Sequence, residues 1–167
     1  MTGRLIMDNN PAAEIAGEIV SQIRVLTELH DYLLQILADD VSREGKSRKN
    51  GLVVAGLLEN YYTAAETVMF RIAQGFGNSI DGERWHADLL HRLNIEVDNI
   101  RPRVLTDVSY SDLDELRRFR HFKRYYYRIE YDWDKLDFLI RKLQRLHPQF
   151  LHELNAFREF TLEIENE

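Results

Sequence analysis

Cysteine is absent from all 167 residues. That excludes a disulfide scaffold, a thiolate metal centre and a cysteine nucleophile, and it fits a reducing compartment, so the cytoplasm is the expected location. Proline is scarce, with three in the chain, which leaves no room for collagen-like or proline-rich segments. No window approaches the roughly 20 uninterrupted apolar residues of a membrane span. The N-terminal MTGRLIMDNNPAAE contains no apolar core of signal-peptide length, so neither secretion nor membrane insertion is expected. Alternation of apolar and polar residues at period two is missing as well, and no strand is expected.

What remains is a chain 44% hydrophobic and 30% charged, the balance of a globular protein. Its length suits one domain over residues 1–167. The net charge of −6 argues on average against a phosphate-rich partner, since phosphate is drawn to positive potential. The average hides an island: Arg117 to Arg128 holds six Arg or Lys residues and His121, and no acid.

Apolar spacing places helices around that island. Ile15, Ile19, Ile23, Leu26, Leu33 and Leu37 recur at three-, four- and seven-residue intervals, the stripe of an amphipathic helix. Asn10 and Pro11 supply its N-cap and first position, and it should run to about residue 40. DDVSREGKSRKN, residues 39–50, reads as a connection. Its Gly45-Lys46-Ser47 ends like a phosphate-binding loop, but Asp40 stands where that motif needs a glycine, and a P-loop is rejected.

Residues 51–74 form a second helix, with Leu57, Leu58, Tyr61, Ala65, Val68, Met69 and Ile72 at helical spacing. GFGNSIDGERW is a loop. A short helix over roughly 83–94 carries Trp85, Leu89, Leu90 and Leu93 inward. Pro102 interrupts the chain before Ser111, a candidate cap for a helix over about 111–130, with Asp112 and Asp114 in its first turn. A last helical stretch runs from Trp133 to about 164, Pro148 either kinking it or opening a second piece. The expected fold is all-α, an antiparallel bundle of about five helices.

RRFRHFKRYYY, residues 117–127, lies on the fourth of these helices. At about 100° per residue, Leu116, Phe119, Phe122, Tyr126 and Ile129 share one side, which should face the core. Arg117, Arg120, His121, Arg124 and Arg128 fall on the other, with Tyr127 at its border. A charge run is usually a solvated face. Such faces, however, usually mix acids with bases, whereas here arginine stacks on arginine and repels, so an anion is expected to offset the charge. Arginine's planar fork suits phosphate, and adjacent tyrosines offer stacking surfaces and hydroxyl donors, which makes RNA the natural candidate.

Three blocks, LENYYTAAETVMFRIAQGF, GERWHADLL and LDELRRFRHFKRYYYRIEYDWDKL, covering roughly residues 57–136, resemble the HepT-like branch of the HEPN superfamily. That branch consists of small α-helical proteins that include ribonuclease toxins of toxin-antitoxin modules. Its signature is an arginine, a polar residue, a histidine a few positions on and a tyrosine two residues after that. Here Arg120 matches the arginine and His121 the polar residue, Tyr127 falls on the tyrosine slot, and the histidine slot holds Tyr125.

The resemblance implies metal-independent RNA cleavage, in which a ribose 2′-hydroxyl attacks the adjacent phosphate. Arginine stabilises the developing charge and a histidine moves the proton. Tyrosine, with an unperturbed pKa near 10, is a poor base at neutral pH. His121 is the candidate to replace it. The resemblance further implies a homodimer with facing motifs and a minimal nucleotidyltransferase antitoxin that attaches AMP to the signature tyrosine, for which Tyr127 is the candidate acceptor. Phosphate added there would neutralise the arginines.

The site expected from all this has Arg120, His121, Tyr125 and Tyr127 as catalytic groups and Arg117, Arg120, Arg124 and Arg128 as RNA contacts. No cofactor and no metal are expected, because His86 and His91, and His147 and His152, are five apart rather than four. Trp85-His86 reads as packing plus a surface hydrogen bond. Glu59 and Glu66, seven apart, read as ion-pair partners, with Glu66 facing Arg120 or Arg124. Two functions stay open: an endoribonuclease toxin, or a catalytically silent relative that binds RNA, nucleotide or a nucleotidyltransferase, with Tyr125 marking the lost base.

Overall fold

The computed structural model describes residues 10–76 and 85–165. The expectations for the N-terminal nine residues and for most of the GFGNSIDGERW loop lie outside them. Helix α1, Pro11–Ile36, begins where Asn10 Oδ1 accepts from Ala12 N at 3.1 Å and Ala13 N at 3.2 Å. It does not give way to a connection at residue 39. A π-helical turn, Leu37–Val41, and a short helix α2, Ser42–Glu44, carry the chain on as helix.

The true corner is only Gly45 to Ser47. Gly45 takes φ 79°, a region open to glycine without a Cβ penalty. Ser47 then caps α3, Arg48–Gly75, its hydroxyl accepting from Asn50 N at 3.1 Å. Asn50 is buried, and its amide donates to Gly45 O at 2.9 Å and Asp40 O at 3.3 Å. Those bonds fasten both sides of the corner and extend the helices beyond their sequence-based limits.

Helix α4, Trp85–Asn94, buries Leu89, Leu90 and Leu93. The segment after it is held by Arg101, which is 3% exposed and donates to the carbonyls of Arg92, Ile95 and Pro102. Helix α5 is Asp107–Arg124, so the range 111–130 needs correction at both ends. Thr106, not Ser111, is the cap: its Oγ1 accepts from Ser109 N at 3.3 Å, and Glu153 Oε1 accepts from Thr106 Oγ1 at 2.7 Å. At the other end Tyr125 leaves the helix, and 3₁₀-type bonds from Tyr125 N and Tyr126 N close the last turn. Helix α6, Trp133–Glu165, is continuous through Pro148, which corrects the option of a second piece. The carbonyl that loses its donor there belongs to Gln144, an exposed residue.

Residue contacts set the directions. Gly75, at the end of α3, lies against Ile15 near the start of α1. Phe76 meets Phe157 near the end of α6, while Trp133 at its start donates to Ser47 O at 3.3 Å. Asp112 early in α5 receives Arg145 from the middle of α6. Thus α1 and α5 run antiparallel to α3 and α6, an all-α bundle in which these four long helices are joined by the shorter α4, with no strand among the described residues. The core is the predicted stripes: Ile19, Leu26, Leu33, Leu58, Tyr61, Val68, Met69 and Ile72 are at most 1% exposed. Among the described residues no helix is long and apolar enough to cross a membrane.

Candidate nucleic-acid interface at the end of α5

The cationic run divides into two parts. Within α5 every base except Arg124 and His121 meets an acid of the chain itself. Asp114 accepts from Arg117 Nε at 2.8 Å and pairs with Arg118 at 2.8 Å. Glu59 pairs with Lys123 at 2.5 Å, and Glu66 accepts from Arg120 Nη1 at 3.0 Å. The anion expected to offset the stacked arginines is thus largely internal, supplied by α3 and by α5 itself. Glu66 meets Arg120, one of the two partners expected for it.

Beyond that body the charge is free. Arg124, the last helical residue, and Arg128 are exposed and make no ion pair among the described residues. His121 is exposed, its ring edge-on to Tyr125 at 5.2 Å. Tyr125 is 67% and Tyr127 89% exposed. The side expected to face the core fails after Phe119: Phe122 is 50% and Ile129 56% exposed, because the helix ends before the stripe does. Tyr126 is half-buried and donates its hydroxyl to Glu130 O. Arg48 of α3 holds Glu130 at 2.6 Å, and its hydrogen bond, then its charge, keep that carboxyl below the usual range. Between α5 and α6 a cavity of about 280 Å³ is lined by Phe119, Phe122, Tyr126, Tyr131 and Lys135.

Arg120 belongs to neither exposed tyrosine. Its guanidinium turns to α3, over the Tyr62 ring at 5.9 Å and onto Glu66, whose other oxygen stands 2.5 Å from His86 Nδ1. Burial, then Glu66, hold the Tyr62 phenol well above its ordinary pKa, although its hydroxyl makes no properly formed hydrogen bond. The His86 ring stacks on Trp85 at 3.7 Å, and Trp85 packs edge-on against Phe70 at 5.6 Å. The expectation of packing plus a surface hydrogen bond for Trp85-His86 is incomplete, because the partner of His86 is the buried carboxylate of Glu66. A Glu on α3 opposite an Arg on α5 was legible, but a histidine reaching that same carboxylate from a third helix was not.

A family model described as HepT-like protein matches residues 53–161. The chain belongs to the HepT-like family of the HEPN superfamily. No curated protein and no solved structure matches it. The HepT-like match spans α3 to α6, and so includes Glu66, His86, Arg120 and the exposed end of α5. Among the described residues no group of His, Asp or Glu side chains gathers so as to hold a metal ion.

Proposed function

We propose that this HepT-like chain is the toxin component of a HEPN toxin-antitoxin pair, a metal-independent endoribonuclease that holds RNA on the cationic end of α5. The observation that carries this reading is the contrast within one run of bases. Arg117, Arg118, Arg120 and Lys123 are matched by acids, while Arg124 and Arg128 stand exposed and, among the described residues, unpaired beside His121, Tyr125 and Tyr127. Basic residues in a last helical turn also offset the helix dipole, but Arg128 lies beyond the helix and gains nothing from it. Unpaired guanidinium groups next to exposed aromatic rings suit a phosphate backbone with unstacked bases.

Cleavage follows the family chemistry: a 2′-hydroxyl attacks its own phosphate, and arginine stabilises the charge that develops. A homodimer would join two such ends into one groove, with Phe122 and Ile129 as its apolar contact. A minimal nucleotidyltransferase is the expected antitoxin. Tyr127, the most exposed of the three tyrosines, is the acceptor that its AMP group would reach, and phosphate there would neutralise Arg124 and Arg128.

Tyr125 in the histidine slot favours a second reading, a silent relative that binds RNA without cutting it. Metal-free incubation of a labelled structured RNA with the unaltered chain and with Tyr125→His separates the two. Cleavage by the unaltered chain supports the nuclease, and cleavage only by Tyr125→His supports the silent binder. If Arg120→Ala with Arg124→Ala leaves RNA affinity unchanged at moderate salt, both readings fail.

A further inference from the structure

The signature histidine is missing, but a histidine with the attributes of a proton-transfer group comes from another helix. We propose that His86 is the catalytic base, taking the proton of the RNA 2′-hydroxyl through Nε2; this rests on the ribonuclease reading above.

The geometry begins with Glu66. Its side chain is 8% exposed, and its two oxygens are divided between Arg120 Nη1 at 3.0 Å and His86 Nδ1 at 2.5 Å. A carboxylate at Nδ1 fixes the tautomer: that nitrogen carries the hydrogen it donates, and the neutral ring keeps its lone pair on Nε2. Stacking on Trp85 at 3.7 Å fixes the ring plane. About a quarter of the His86 side chain is exposed (27%), so a substrate hydroxyl has a way in.

The same carboxylate sets the partner. Arginine offers five N–H donors in a planar fork; one of Arg120's is used on Glu66, and the others remain for a phosphate beside the imidazole. Base and electrophilic stabiliser are thus held to one buried anchor, as a reacting phosphate and its adjacent 2′-hydroxyl require.

The other histidines lack this support. His121 is exposed against Tyr125, with no acid to orient it among the described residues. His30 meets its exposed neighbour Asp31 at 3.4 Å and stacks on the buried His147 between α1 and α6.

In the step, Nε2 takes the 2′-hydroxyl proton and O2′ bonds to phosphorus while the P–O5′ bond breaks. The departing 5′-oxygen takes a proton from water, and the imidazolium proton neutralises the hydroxide left behind. The products are a 2′,3′-cyclic phosphate and a 5′-hydroxyl end.

The test is cleavage of a labelled structured RNA in chelator by the full chain and by His86→Gln and His86→Phe. The first variant keeps a polar group near Glu66 and the second keeps the stack on Trp85. Either one, once its melting curve shows it folded, should lose at least 100-fold in cleavage rate. His91→Ala, an exposed histidine on the same helix, should cut normally. Cleavage that survives in a folded His86 variant and is lost in His121→Ala overturns the role of His86 and leaves the nuclease reading standing. No cleavage by the unaltered chain overturns both.

Discussion

Arg120 Nη1 lies 3.0 Å from Glu66 Oε1, both side chains largely buried, at 17% and 8% exposed. Breaking one half of such a pair strands the other charge, which costs on the order of 3 kcal/mol, whereas replacing both with apolar groups of similar volume is often neutral. Arg120→Ala and Glu66→Ala should each lower the melting temperature strongly. Glu66→Leu with Arg120→Met should recover most of that loss while leaving RNA cleavage abolished. Melting curves and RNA cleavage assays of these three variants and the unaltered chain check both halves. Cleavage by the double variant would show that the pair serves the fold alone.

The exposed cations should behave differently. A phosphate contact contributes about −0.7 to the slope of log affinity against log salt for a single strand. Arg124→Ala and Arg128→Ala should each flatten that slope by about this amount with no change in melting. Arg118→Ala, whose partner Asp114 lies 2.8 Å away, should leave the slope alone. Equal effects from all three would mean that the division between paired and free cations has no bearing on binding.

The end of α5 also shows where local reading stops. Every long helix was visible as a 3.6-residue stripe, since Leu57 to Ile72 and Ile15 to Leu33 fall on buried faces whatever their neighbours. The start of α5 was misread because Thr106 and Ser111 are equally good local caps. What decides between them is Glu153, 47 residues away. Its far end was misread because Phe122, Tyr126 and Ile129 continue the stripe past the point where the helix stops. His86 hid for a similar reason: the carboxylate that gives it chemistry is 20 residues back on another helix.

That cap makes a graded prediction. Glu153 Oε1 takes hydrogen bonds from Thr106 N at 3.1 Å, Thr106 Oγ1 at 2.7 Å, Ser109 Oγ at 2.9 Å and Gln149 Nε2 at 3.2 Å. Thr106→Ala removes one capping side chain and should cost about 1 kcal/mol. Glu153→Ala takes the acceptor from the buried Ser109 hydroxyl and from both donors of the half-buried Thr106, and should cost about 2–3 kcal/mol. Urea unfolding measures both, and the reverse order would mean that Glu153 contributes little to holding α5.

Between α1 and α6, Tyr61 and His30 converge on His147, whose ring stacks on His30 at 3.9 Å. Burial holds the Tyr61 phenol above its ordinary range, so it keeps its proton, and its hydroxyl is hydrogen-bonded to His147 Nδ1 at 3.0 Å. Burial first, then His30, lower His147 from its ordinary 6.5 to about 4, against a smaller opposing pull from Asp31. The unfolded chain therefore binds a proton between pH 6.5 and 4 that the folded chain refuses, and stability falls as pH drops through that window. The loss from this one group should be on the order of 2 kcal/mol. His147→Gln keeps a hydrogen-bonding partner for Tyr61 and cannot titrate, so it should flatten this part of the stability profile when urea midpoints at pH 7 and pH 4.5 are compared. An unchanged difference between those midpoints would assign the acid sensitivity to other groups.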